Sequence, residues 1–296
     1  MLSYGGRIYF PFLKTYAASE FGEDYETEAP YSESALKDKI EAQGWILWAP
    51  IRFGASTIDF KLKEAVPSAP DSRHLLGTDD RGRDVFARLL FGFRLSLLFG
   101  LMLASIGALL GIFIGAMQGS HGSQSDLVVQ RLTEIWTSIP ELLALMILSS
   151  VFQPSFLLLL VFASSMGWMT YATYVRAEFL RLRHLDFVLC ARQLGASRWH
   201  LALHHIIPNA LTPVLSYFPL RVSSGITCLA SLDFLGWGLS SSHPSLGELL
   251  LQGKAHLECW WIIVSSFCAL SFATVLLHFI SEGVLHALDP RVDLSP

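Results

Sequence analysis

The chain has 296 residues, of which 52% are hydrophobic and only 16% are charged, and its mean hydropathy is +0.45. Soluble domains carry about 25% charged residues, so this composition argues against a disordered chain and against a soluble enzyme. The net charge of −4 gives no basic excess of the kind that nucleic-acid binding needs. The composition indicates a membrane protein.

The first 93 residues differ from the rest, because they hold 14 acidic and 11 basic residues. They predict a small extracytoplasmic segment with little regular structure, apart from one short helix that begins near Ser34. The stretch 44–54, GWILWAPIRFG, is typical of a packed loop or strand. No apolar stretch of signal-peptide length lies before Tyr16, so export of this segment is expected to need an upstream transmembrane helix.

Five apolar stretches follow, each long enough to cross a hydrocarbon core of about 30 Å as a helix. The uncharged run from Leu142 to Val175 is too long for one helix, and Gln153-Pro154 divides it because proline cannot continue a helix. The resulting prediction is an all-α transmembrane domain over 94–285. Its predicted spans are 95–119, 131–152, 156–176, 211–232 and 260–281.

The basic residues predict the orientation of these spans. Five arginines lie between Arg176 and Pro208, whereas the loop from Gly236 to Cys259 contains one base, Lys254. Cytoplasmic loops carry the excess of Lys and Arg, so the loop 177–208 is expected to be cytoplasmic. Counting spans from there places the N-terminal segment outside and the tail 286–296 inside.

A stripe of small residues runs along the first predicted span. Gly107, Gly111, Gly115 and Gly119 recur every four residues, and this spacing forms a groove into which another helix can pack closely. Helix packing is the favoured interpretation of the stripe. The alternative is that it takes part in opening a pore.

The cytoplasmic loop contains the most informative local pattern, FVLCARQLGASRWHLALHHIIPNAL (187–211). It predicts a helix over 186–194, a left-handed break at Gly195 and a second helix that Ser197 caps. A solvated connector would not need the apolar faces of these helices, so the loop is interpreted as a docking knob for a cytoplasmic partner. The residues assigned to it are Asp186, Ala191, Arg192, Gly195, Ala196, Ser197 and Pro208.

These residues carry a resemblance to a known family. Ala191, Gly195 and Pro208 have the spacing of the "EAA" loop of binding-protein-dependent ABC importer permeases, although Leu189 replaces the leading glutamate and Cys190 occupies the second position. The peptide branch of that family is similar in several stretches. They are HLLGTDDRGRDVFARLLFG (74–92), HHIIPN (204–209), SLDFLGWGL (231–239), PSLGELL (244–250) and HALDPR (286–291).

The resemblance implies a type I ABC importer fold and a peptide permease of the inner membrane. It further implies a second permease, two ATPase subunits or one fused double ATPase, and an extracytoplasmic peptide-binding protein as partners. RIYFPFLKTY (7–16) and the stretch 44–54 resemble the Yej-type permeases of microcin C and oligopeptide importers. The chain has no G-x-x-x-x-G-K-[ST] loop, so ATP is expected to be bound by the partner and no cofactor or enzymatic activity is expected here.

Two histidine patterns leave alternatives open. His200, His204 and His205 share a helix face and could bind a metal, but no acidic or cysteine ligand stands at a suitable spacing. His278 and Glu282 could form a proton relay, as a proton-coupled secondary transporter acting without an ATPase would require, or could extend to the membrane interface. No inverted repeat supports the secondary transporter.

Arg221 lies in the middle of a predicted span, where a charged side chain costs about 2.5–3.5 kcal/mol on insertion scales. Asp233 lies about 18 Å further along a straight helix, too far for a direct pair. One expectation is a salt bridge to the second permease, or extension to the interface eased by a helix break at Pro219. The other is that Arg221 and Asp233 line the translocation path, where Arg221 would pair with a peptide carboxylate.

Overall fold

A computed structural model describes short stretches between residues 2 and 46, and residues 53–60, 62, 65–121, 124–240 and 243–288. The chain forms two compact units that divide between Thr57 and Ile58. Residues 58–93, which we predicted to be part of the N-terminal segment, therefore belong to the helical unit. Residues 289–296 and most of 20–41 and 44–54 lie outside the described residues.

The first unit contains a three-stranded antiparallel sheet, with β1 (Leu2–Tyr4) between β2 (Arg7–Tyr9) and β3 (Gly44–Ile46). Leu2 pairs with Tyr9 on one side and with Ile46 on the other. A small core of Phe21, Leu36 and Ile40 is covered by tyrosines that include Tyr4 and Tyr9. The regular elements described in this unit are short: these three strands and a turn of 3-10 helix (Ala18–Phe21).

The second unit is helical. In chain order its described helices begin with α1 (Val85–His121), α2 (Gln124–Thr137), α3 (Glu141–Val151), α4 (Phe156–Gly167) and α5 (Met169–Leu182). They continue with α6 (Asp186–Gln193), α7 (Arg198–Leu201), a π-helical turn (Ala202–Ile206), α8 (Ile207–Phe234), α9 (Leu246–Ala255) and α10 (Trp260–Leu288).

Among the described residues, three helical stretches are long and apolar enough to cross a membrane: Val85–Ser120, Phe156–Leu182 and Trp260–Leu288. The pair α2 and α3 would be a fourth span, but it is bent by 69°. The prediction of one helix over 131–152 is therefore wrong. Pro140, with φ −62° and ψ 120°, stands at the break, because proline lacks the N–H that would continue the helix.

Helix α1 is the centre of the bundle and packs most extensively against α5 and α8. One apolar core joins α5 to the start of α8 through residues such as Phe179 and Val214. A second core joins α1 to α3 and α4 through residues such as Phe99, Leu145 and Leu159. The loop between α5 and α8 therefore packs directly on the bundle core.

The glycine stripe of α1 faces α5. A Cβ atom added to Gly111 would overlap the Cβ of Tyr171 and lie 2.7 Å from the carbonyl oxygen of Trp168. One added to Gly115 would lie 2.5 Å from the carbonyl oxygen of Ala172. The two backbones are therefore in close contact, and even one methyl group has no room between them.

We expect Gly111→Ala to destabilise the protein by about 1–3 kcal/mol, because α1 and α5 would have to separate. Gly283→Ala in α10 is the matched control, since a Cβ there meets nothing within 4 Å. Alanine is the better helix former, so the control is expected to be neutral or slightly stabilising. The midpoint of denaturant unfolding in detergent measures both variants. Equal midpoints would contradict close packing at Gly111.

Candidate functional site

The segment between α5 and α8 is a helix–glycine–helix unit with a well-defined turn. Gly195 has φ +89°, which suits glycine, and the turn is closed by two hydrogen bonds of a Schellman motif. The amide of Ala196 donates to the carbonyl of Ala191 (3.1 Å), and the amide of Gly195 donates to that of Arg192 (3.1 Å). Ser197 then accepts a hydrogen bond from the amide of His200 (3.2 Å) as the cap of α7.

One face of this unit is fixed in the bundle core. Val188, Leu201 and Ile206 are buried and pack with side chains of α5 that include Phe179 and Leu182. The segment is therefore packed against both α5 and the start of α8.

The opposite face is exposed and apolar. Leu194 is 89% exposed, and Phe187 and Leu189 are also exposed. We did not single out Leu194 from the sequence, although its place directly before the glycine turn is the signal that could have identified it. We name Phe187, Leu189 and Leu194 the exposed apolar face of the segment. The predicted residues Asp186, Arg192, Gly195, Ser197 and Pro208 are exposed around it, and Ala191 and Ala196 are half-buried.

The histidines of this segment interact mainly with one another. The rings of His200 and His204 stack with centroids 4.3 Å apart, and the His204 ring lies 3.3 Å from the carbonyl oxygen of His200. Across the described residues, no group of three His, Cys, Asp or Glu side chains is arranged to hold a metal. His278 and Glu282 lie on the exposed side of α10, beside a shallow hollow.

Arg221 is only 6% exposed and pairs within its own chain. Its two terminal nitrogens donate to the two carboxylate oxygens of Glu141, at 3.0 and 2.9 Å. Arg221 therefore has a counter-charge within its own chain, in a pair that joins α8 to the first residue of α3. The salt bridge to a second permease stays a prediction. The expected helix break at Pro219 is wrong, because α8 is continuous through Pro213 and Pro219.

A second pair of the same type lies at the start of α2. Arg176 of α5 donates to Asp126 through Nε (2.7 Å) and through a terminal nitrogen (2.6 Å). The bent pair α2–α3 is thus held to the bundle by a bidentate Arg–carboxylate contact near each of its two helix starts. Such contacts are directional and strong, since each arginine makes two parallel charge-assisted hydrogen bonds.

Asp233 is buried at the end of α8 and both its oxygens are occupied. One accepts from the amide of Leu239 (2.6 Å), and the other accepts from the Ser245 hydroxyl. Ser245 in turn caps α9 by accepting from the amide of Gly247 (3.1 Å). The structure therefore places Asp233 in a hydrogen-bonded turn that joins 231–239 to 244–250.

A buried ionic cluster fixes the start of α1 to α9. Arg88 is fully buried and bonded to Glu248, and Arg83 donates to Asp79 through Nε (2.7 Å). The Arg88 Nε lies 3.5 Å from the same Asp79 carboxylate. Burial raises the pKa of the Glu248 carboxyl, while the nearby Arg88 and Arg83 act in the opposite direction. The stretches 74–92 and 244–250 therefore form one structural unit.

The family model described as "Binding-protein-dependent transport system inner membrane component" matches residues 92–294. The chain belongs to this family. That membership confirms the resemblance drawn from the loop and identifies the chain as a transport component rather than an enzyme. It favours an ABC permease over a secondary transporter acting alone.

Two curated relatives cover almost the whole chain. The permease is 46% identical over 291 residues to the inner membrane ABC transporter permease protein YejE of Escherichia coli (strain K12), covering 98% of this chain and 85% of that protein. It is 38% identical over 315 residues to the peptidoglycan transport system permease protein YejE of Agrobacterium fabrum (strain C58), covering 98% and 82%.

A solved structure shares the fold of the permease. The inward-facing MetNI methionine ABC transporter is similar with a TM-score of 0.57, covering 68% of this chain and 96% of that chain at 16% sequence identity. The permease is therefore a helical membrane protein with the transmembrane fold of a type I ABC importer.

Proposed function

We propose that this permease carries peptides or peptide conjugates inward across the inner membrane as one subunit of an ATP-driven importer. The observation that carries the proposal is the helix–glycine–helix unit, with one face in the core and an exposed apolar face. The names of the relatives support peptides as the substrate class, and so do the stretches that are similar to the peptide branch of the family. Microcin C-like conjugates are included because of the Yej-type resemblance.

The proposed assembly follows from the family. A second, related permease completes the translocation path, and two ATPase subunits or one fused double ATPase bind the exposed apolar face of the loop. An extracytoplasmic binding protein delivers the cargo. In this arrangement α8 is also a span, the fourth of five in chain order, since its 28 residues suffice to cross the membrane, and the C-terminus is cytoplasmic.

Coupling would use the contacts of the loop with the bundle. Closure of the ATPase dimer on ATP moves the docked segment, and Val188 and Ile206 transmit that movement to α5 and α8. The bundle then changes between inward-open and outward-open arrangements, each favoured by a different nucleotide state.

Glu141, whose side chain is 25% exposed, is the accessible member of its pair with Arg221 and the one that cargo could contact.

The test places one charge on the exposed apolar face. Leu194→Asp is expected to weaken co-purification of the ATPase about 10- to 100-fold, because a buried interface disfavours an unpaired carboxylate. Leu257→Asp is the matched control, since Leu257 is 73% exposed in the loop before α10. The control should retain the ATPase at the wild-type level. Retention by both variants, or no ATPase with the wild type, would contradict the proposal.

A further inference from the structure

Helix α2 is attached to the bundle at its first turn but packs loosely beyond it. Asp126 is 7% exposed, and no other side chain described between Asp126 and Thr137 is buried. The next helix differs, because α3 buries Ala144 and Leu145 among the other helices. Few buried contacts mean a low free energy of local opening, so α2 is less firmly held than α3.

A cavity of about 470 Å³ separates α2 from the helices behind it. Its lining includes Gln130 and Thr133 of α2, Gln118 of α1 and Thr173 of α5. Closely packed helices leave no space of this size, since protein interiors contain few voids larger than a water molecule. Helix α2 therefore stands away from α1 and α5 between its two ends, and the space behind it leaves room for movement.

The C-terminal end of α2 is a bend whose far side is fixed. Residues 138–140 are not helical, and α2 and α3 meet there at 69°. Directly after the bend, Glu141 pairs with Arg221, so the start of α3 is held to α8. The Thr137 hydroxyl also lies 3.0 Å from the Met169 sulfur, beside the bend. A few residues at the end of an element are sufficient for a hinge, and residues 138–140 have that position.

The N-terminal end of α2 is held by the pair of Asp126 with Arg176, which we name the latch. Both carboxylate oxygens of Asp126 accept from Arg176, at 2.7 and 2.6 Å. The Arg176 side chain is 20% exposed, so water reaches the latch and its opening costs less than that of a fully buried pair. Arg176 lies in the second half of α5, which ends at Leu182, shortly before the helix–glycine–helix unit. A movement of the end of α5 therefore acts directly on the latch.

We propose that α2 is a strap that rotates about residues 138–140 and that the latch opens and closes during each transport cycle. Arg176 is then a positioning residue, because it acts on transport through Asp126 rather than by contact with cargo. The opening of the latch is a property of the permease itself. Its coupling to the cycle rests on the proposed function, in which the docked ATPase moves the end of α5.

Distances between spin labels, measured on the permease in detergent, report the position of α2. The labels are placed on a chain whose native cysteines are replaced. One label pair joins Leu132→Cys of α2 to Leu257→Cys, and the reference pair joins Leu143→Cys of α3 to the same site; all three side chains are exposed. Asp126→Asn removes the charge of the latch and keeps the shape of the side chain. It should raise the population of displaced α2 distances about 10-fold, with the reference distances unchanged.

Two further variants control for damage unrelated to the latch. Glu178→Gln is the matched control, because it breaks an exposed pair with Arg181 (2.9 Å) on the same helix α5 and should leave both distances unchanged. The reversed pair, Asp126→Arg with Arg176→Asp, should restore the wild-type distances that either single change loses. Unchanged α2 distances in Asp126→Asn, equal shifts in the reference pair, or no recovery in the reversed pair would overturn the inference.

The complete transporter in proteoliposomes, with loaded binding protein, tests the coupling to the cycle. In the wild type, the distances between labels at Leu132 and Leu257 should differ between the nucleotide-free state and the state trapped with ATP and vanadate. Asp126→Asn should reduce that difference and lower peptide uptake per ATP hydrolysed about 5-fold or more, since coupling energies between sites are typically at least that large.

ATP-dependent uptake by the wild type with the same α2 distances in both nucleotide states would overturn the inference and leave the proposed function intact. Absence of ATP-dependent uptake by the wild type would overturn the proposed function, and the distances measured in detergent would still decide whether the latch opens.

Discussion

Glu141→Ala is expected to destabilise the protein by about 3 kcal/mol, at the lower end of the range for breaking a buried ion pair. The change leaves the Arg221 guanidinium among apolar helices without its counter-charge, and Arg221 has no route to solvent when it is only 6% exposed. The lower end applies because Glu141 is itself partly exposed. The unfolding midpoint in detergent, followed by tryptophan fluorescence, measures the change.

A double-mutant cycle separates this pair from simple loss of packing. Arg221→Met together with Glu141→Ala removes both charges, and the double variant should recover much of the stability that Glu141→Ala loses. Glu134→Ala is the control on the same bent helix pair, since Glu134 is bonded to Arg131 at the surface and little change is expected there. Strictly additive effects of the two substitutions would show that Arg221 and Glu141 do not interact.

The second large effect is expected in the ionic cluster that joins α1 to α9. Glu248→Ala removes the carboxylate bonded to Arg88, which is fully buried, so that Arg88 then shares Asp79 with Arg83. We expect a loss of about 3–5 kcal/mol, because an uncompensated charge remains in the interior. Since α9 is held to the start of α1 through this cluster, protease sensitivity between 236 and 259 should rise together with the loss of stability.

Glu258→Ala is the control for the cluster. It removes an exposed carboxylate three residues after α9 ends and should leave both the unfolding midpoint and the protease pattern unchanged. Arg88→Met combined with Glu248→Leu should be more stable than Glu248→Ala alone, since both charges are then absent. A Glu248→Ala protein as stable as the wild type would show that the cluster does not hold α9 in place.

The local sequence was sufficient to predict a structural feature wherever the residues that cause that feature lie within one short stretch. The break at Gly195 and the cap at Ser197 could be predicted, because a left-handed turn and a helix start each depend on a few neighbouring residues. The apolar stretches around α1, α4 and α10 were evident from composition, since a membrane requires long uncharged helices. The glycine spacing also indicated where a second helix approaches, although it did not identify that helix as α5.

Only the tertiary structure decided how proline acts and which charges pair. Pro140 stands at a 69° bend, whereas α8 continues as one helix through Pro213 and Pro219. Packing against α1 and α10 supports α8, and the Ser281 hydroxyl donates to the Ser216 carbonyl (2.6 Å). Arg221 finds its partner 80 residues earlier in the chain, and Arg176 finds Asp126 50 residues earlier. A sequence shows that a buried charge needs a counter-charge. Which carboxylate supplies it depends on which helix surfaces meet, and that is settled by the packing of the whole bundle.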